Sequence, residues 1–141
     1  MRPMPGKADQ QRNCMVSKVR MKDILLVDDD QDLLGLIKSL LAQEGMAVQS
    51  AESGEEALCE LREKTFELMI TDFNLPGLDG LALAQKALGI APCMPVIMIT
   101  GSIAPGIPRL AEEAGIAKVL FKPFHPNEIL AAIRAVAGEE R

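Results

Sequence analysis

A recurring unit constrains this chain most: a short apolar run that ends on a polar or charged side chain, followed by a segment whose apolar residues repeat at helical spacing. Ile24-Leu25-Leu26-Val27, Leu68-Met69-Ile70-Thr71 and Pro95-Val96-Ile97-Met98-Ile99 show no polar alternation. A strand with one wet face would alternate, so these runs read as strands buried on both faces. Met46-Ala47-Val48-Gln49-Ser50 is a weaker strand, and Lys118-Val119-Leu120-Phe121 is a fifth.

The intervening segments read as helices. Leu33, Leu34, Ile37, Leu40 and Leu41 mark the first, closed by Glu44-Gly45. Ser53 and Glu56 form a capping box that opens a second helix through residue 64, with Leu58 and Leu61 on its buried side. A third runs from Gly80 to about Leu88, with Leu81, Ala84 and Leu88 on one face. Pro105 and Pro108 lack amide donors, so a short fourth helix is expected to start at Pro108 and to stop at Gly115. Ile129, Leu130, Ile133 and Val136 mark the last, closed by Gly138. Five strands alternating with five helices give an α/β fold, a parallel sheet covered on both faces by right-handed crossovers.

The 141 residues suit one domain, and a hydrophobic share of 48% allows a sizeable core. With four Phe and neither Trp nor Tyr, that core must be aliphatic, with Met filling gaps. No apolar run approaches transmembrane length, and no signal-peptide segment opens the chain, so no membrane association is expected. Cys14, Cys59 and Cys93 share no metal-ligand spacing and read as reduced thiols of a cytoplasmic protein. Residues 1–22 carry six basic side chains against Asp9 alone, a net +5, so the rest carries −10. The acidic body argues against direct nucleic-acid binding. The expected organisation is a solvated, disordered basic arm over 1–22, a folded domain over 23–138 and a tail over 139–141.

The strand ends carry the chemistry. Strands one, three, four and five end on Asp28-Asp29, Asp72, Thr100 and Lys122, whereas strand two ends on nothing more reactive than Ser50. In a flavodoxin-like doubly wound sheet of order 2-1-3-4-5, ligands bind beyond the carboxyl ends of strands one and three, and strand two lies at the far edge. Three converging carboxylates repel: two unit charges roughly 4 Å apart interact by about 4 kcal/mol at an effective dielectric near 20. Such a site needs a cation, and oxygen-only ligands favour Mg²⁺, with Mn²⁺ a second choice, over zinc. With that ion present, Asp72 can serve as nucleophile toward a phosphoryl group, while Lys122 neutralises charge on the transferring oxygens. Asp30 and Asp79 read as helix caps, and His125, beside Pro126, as a cap or solvent contact.

Val27-Asp28-Asp29, the run from Asp72 through Asn74, Pro76-Gly77 and Asp79-Gly80, Thr100-Gly101 and Lys122-Pro123-Phe124 together resemble the response-regulator receiver domain of two-component signalling. The match spans roughly residues 24–137. The resemblance implies that Asp72 is the phosphoacceptor, that Asp29 and Asp72 bind Mg²⁺ directly, that Asn74 adds its backbone carbonyl and that Asp28 acts through water. It further implies Thr100 as the switch hydroxyl, Lys122 as the phosphoryl partner and a cis peptide between Lys122 and Pro123. The sequence departs from the family at Val119, where an aromatic residue often stands, and in the Gly and Pro between 101 and 108, where an irregular segment is expected.

The expected function is a phosphorylation-dependent switch without an output domain of its own. A histidine kinase or histidine phosphotransfer protein would supply the phosphate, and a downstream protein would be met through the face of the fourth helix, fifth strand and fifth helix. The domain would promote only its own phosphotransfer and dephosphorylation. One alternative is a Mg²⁺-dependent phosphohydrolase working through an aspartyl phosphate, for which no insertion is long enough to build a substrate cap. Another is a constitutive interaction module that keeps the receiver fold; its partner affinity would not change on Asp72→Asn.

Overall fold

The computed structural model describes residues 22–101 and 104–138. The basic arm up to residue 21, part of the segment expected to be irregular (102–103) and the tail from 139 lie outside the described residues. In chain order the elements are β1 (Asp23–Val27), α1 (Gln31–Gln43), β2 (Ala47–Ala51), α2 (Gly54–Glu63), β3 (Leu68–Asp72), α3 (Gly80–Ile90), β4 (Val96–Thr100), α4 (Ile107–Glu113), β5 (Lys118–Phe121) and α5 (Pro126–Ala137). The five strands form one parallel sheet in the order β2-β1-β3-β4-β5, so the expected topology is the observed one.

The apolar runs are buried as their lack of alternation demands. β3 and β4 are buried at every position, and β1 from Ile24 onward. Alternate side chains of each strand feed two cores. Leu25, Val27, Met69, Val96 and Met98 pack with residues of α2, α3 and α4 on one face. Ile24, Leu26, Leu68, Ile70, Ile97 and Ile99 pack with residues of α1 and α5 on the other. A sheet gripped from both sides holds its carboxyl-terminal edge rigid, and that edge carries Asp72 and Thr100.

The helices differ from expectation in detail. α3 continues to Ile90 and buries Leu83, Ala84 and Ala87, whereas Leu81 and Leu88 flank that face half-buried. α4 begins at Ile107, one residue before Pro108, because first-turn amides need no intrahelical acceptor and a proline is tolerated there. At α2 the Ser53 hydroxyl accepts from the Glu56 amide at 3.1 Å, but the Glu56 carboxylate accepts from the Glu52 amide, not from that of Ser53. Cys59 is free and exposed, and Cys14 lies outside the described residues. No helix among the described residues is long and apolar enough to cross a membrane.

Candidate functional site

Three consecutive aspartates leave β1 and take three different places. Asp28 is held by its own amide, which donates to the Ala51 carbonyl at 3.0 Å, and it is only 2% exposed. Its Oδ1 accepts from the Asp30 amide at 2.9 Å. Asp29 is exposed. Asp30 caps α1, its Oδ1 accepting from the amides of Asp32 and Leu33 at 3.0 and 3.2 Å. Asp72, the last residue of β3, is 5% exposed. Asp28, Asp29 and Asp72 each offer a carboxylate oxygen within 4.8 Å of the others.

Lys122 follows β5 and reaches into this group from the far side. Its amide donates to the Thr100 carbonyl at 2.8 Å, tying it to the end of β4. Its Nζ stands 3.2 Å from Asp72 Oδ1. That oxygen is buried, and the ammonium beside it offsets its charge. The Lys122–Pro123 peptide is cis.

The electrostatics follow from burial. Asp28 is pushed up to about 6, first by loss of solvent and then by the charge of Asp72, while the Asp30 amide and Lys122 oppose the rise. Asp72 is also raised, again chiefly by burial, with Lys122 and the Phe73 amide holding it down. Two buried carboxylates whose ionised form burial disfavours, with an exposed third beside them, suit a hard divalent cation. Asp28, Asp29 and Asp72 supply the oxygen donors, and the Asn74 carbonyl lies two residues past Asp72 in the following loop.

Thr100 is fully buried at the end of β4, in register with Phe121, one residue beyond the partner of Asp72. Val119 is half-buried, pairs with Met98 and packs into the core on the α3 and α4 side. Asn74 is exposed. Asp79 caps α3, its Oδ1 accepting from the Ala82 amide at 2.8 Å. His125 caps α5: its Nδ1 accepts from the Asn127 amide and its own amide donates to Glu128. The sequence marks Gly80 as a helix start and as part of the resembled motif, but does not show how closely it approaches the backbone of Asp72. The Asp79-Gly80 pair at the end of the loop was the available signal.

Residues 24–134 match the family model of the response regulator receiver domain. The chain belongs to that family. This receiver domain is 36% identical over 110 residues to the response regulator receiver protein CpdR of Brucella abortus (strain 2308), covering 78% of this chain and 92% of that protein. It is 40% identical over 116 residues to the transcriptional regulatory protein CpxR of Escherichia coli (strain K12), covering 82% of this chain but 49% of that protein. Among solved structures it resembles a CheY-like receiver domain protein from Methanospirillum hungatei JF-1, with TM-score 0.80 and 33% identity over 84% of this chain and 95% of that one. Receiver domains are signalling modules of two-component response regulators, and the class of this domain is thereby settled.

Proposed function

We propose that this receiver domain accepts a phosphoryl group on Asp72, with Mg²⁺ held by Asp28, Asp29, Asp72 and the Asn74 carbonyl, and thereby changes a partner-binding face. The observation that carries the reading is the convergence of three carboxylates within 4.8 Å with the Lys122 ammonium 3.2 Å from Asp72 Oδ1. When bound, the ion supplies charge neutralisation for the acids and for phosphoryl oxygens. A histidine kinase or histidine phosphotransfer protein provides the phosphohistidine. A carboxylate oxygen of Asp72 forms the new P–O bond as the P–N bond breaks, and the electron pair stays with the imidazole nitrogen. Lys122 moves its charge from the carboxylate to the phosphoryl oxygens, and Thr100 donates a hydrogen bond to the product.

The added group carries about −1.5 to −2 charges at neutral pH, enough to bias a two-state surface. The face of α4, β5 and α5 suits that role, since Leu110 and Phe121 stand exposed on it. Val119 in place of an aromatic residue favours a second reading, a module whose face is set without phosphate. A cytoplasmic setting follows from a kinase donor.

Incubation with Mg²⁺ and acetyl phosphate, followed by intact mass, tests the assignment. Wild type is expected to gain one phosphate and Asp72→Asn none. Undiminished labelling of Asp72→Asn would remove the nucleophile. Unlabelled wild type, with partner affinity indifferent to Asp72→Asn, would favour the constitutive module.

A further inference from the structure

We propose that Gly80 is a positioning residue of the acid site, acting through the backbone of Asp72 and Phe73 to hold shut the base of the loop that carries Asn74. The inference rests on the reading of that site as a divalent-cation centre. Residues 73–79 leave β3 and return to the start of α3. Two hydrogen bonds pin the base of this loop: the Gly80 amide donates to the Phe73 carbonyl, and the Phe73 amide to the Ile99 carbonyl of β4, each at 2.8 Å.

A Cβ on residue 80 would lie 2.5 Å from the Asp72 carbonyl oxygen, 2.9 Å from Phe73 Cα and 3.2 Å from the Asp72 carbonyl carbon. These are backbone atoms and cannot rotate away. Gly80 does not have a positive φ, so no left-handed backbone conformation calls for glycine here. Lack of space does. Relieving an overlap of this size takes a displacement of roughly 1 Å, given ordinary contact distances. The displaced atoms belong to the nucleophile and to the residue before Asn74.

The loop cannot readily absorb the shift at its other end. Leu78 lies against Gly54 of α2, where an added Cβ would stand 2.9 Å from Leu78 Cδ2. Gly77 turns at φ +76° beside Glu55. Clamped on α2 and on β4, the loop passes strain to Asp72 and Asn74. Groups that orient metal ligands without touching the ion typically change affinity by about 10- to 100-fold when altered.

The test compares wild type, Gly80→Ala and Gly89→Ala by Mg²⁺ calorimetry and by the Mg²⁺ dependence of labelling with acetyl phosphate. Circular dichroism reports the fold of each. Gly89 lies in the same helix with nothing within 4 Å of its would-be Cβ. Gly80→Ala is expected to stay folded, to need about tenfold more Mg²⁺ or higher, and to regain labelling as Mg²⁺ is raised. Gly89→Ala is expected to keep the wild-type midpoint. A folded Gly80→Ala with wild-type Mg²⁺ dependence overturns the inference. If Gly80→Ala does not fold, Gly54→Ala, which crowds Leu78, takes its place, and a wild-type midpoint there overturns it equally. Wild type that neither binds Mg²⁺ nor takes label overturns the reading of the site, and this inference falls with it.

Discussion

Burial separates Asp28 from its neighbours more sharply than the sequence does. Its carboxyl is pushed up to about 6 from an ordinary 3.8, so the folded chain holds that proton more tightly than the unfolded chain. The corresponding stability is fully present below about pH 4 and is lost as pH rises through about 6. A metal ion has the opposite requirement, since its carboxylate ligands must be deprotonated. Mg²⁺ is therefore expected to bind several-fold more weakly at pH 5.5 than at pH 7.5, and Asp28→Asn is expected to reduce that difference. Calorimetric titrations at the two pH values check this, and equal affinities in wild type would show that Asp28 is already ionised at pH 5.5. Asp72 and Lys122 were legible in the sequence because an apolar strand seldom closes on a charge unless a ligand or an opposite charge meets it at the sheet edge. Gly80 was not, because the crowding around it comes from backbone that the loop brings back from eight residues earlier.

Helices obey local rules where solvent surrounds them and tertiary contacts where it does not. Gly35 lies within α1, exposed, without a positive φ and with nothing within 4 Å of a would-be Cβ. Gly35→Ala is expected to stabilise the domain by about 0.5–1 kcal/mol through reduced backbone entropy in the unfolded chain. A urea midpoint that rises with unchanged slope would report it. A fall would mean that the outer surface of α1 is packed against something. Ser53→Ala removes the acceptor for the Glu56 amide and is expected to cost about 1 kcal/mol, read from the same titration. The caps at Ser53 and Asp79 were readable because their partners lie within three residues. The buried face of α3 was legible only at Ala84, since the sheet selects Leu83 and Ala87 over Leu81 and Leu88. Small alanines let a helix lie close to the strands, and spacing alone does not reveal that preference.

At the scale of the whole molecule, the two cores and the acid site oppose one another. The cores hold the ends of β1 and β3 side by side, with Val27 and Thr71 in register. That registration forces Asp28, Asp29 and Asp72 within 4.8 Å whether or not their charges are balanced. Strand order was legible because only one of five strand ends lacked a reactive group, and that strand is β2, the edge strand beyond β1. The apolar framework therefore supports an electrostatic load that Lys122 offsets only in part. A ligand that binds only the folded chain stabilises it by RT ln(1 + [L]/Kd), about 2.7 kcal/mol at a hundredfold excess over Kd. Mg²⁺ at pH 7.5 is thus expected to raise the melting temperature by several degrees, and a chelator to reverse the rise. Asp72→Asn removes one carboxylate whose ionised form burial disfavours. It is expected to melt at or above the wild-type temperature without Mg²⁺ and to gain less when the ion is added. Differential scanning calorimetry of both proteins, with and without Mg²⁺, separates the two effects. If Mg²⁺ leaves the wild-type melting temperature unmoved, the repulsion among these carboxylates is relieved without a cation, and the acid cluster is not a metal centre.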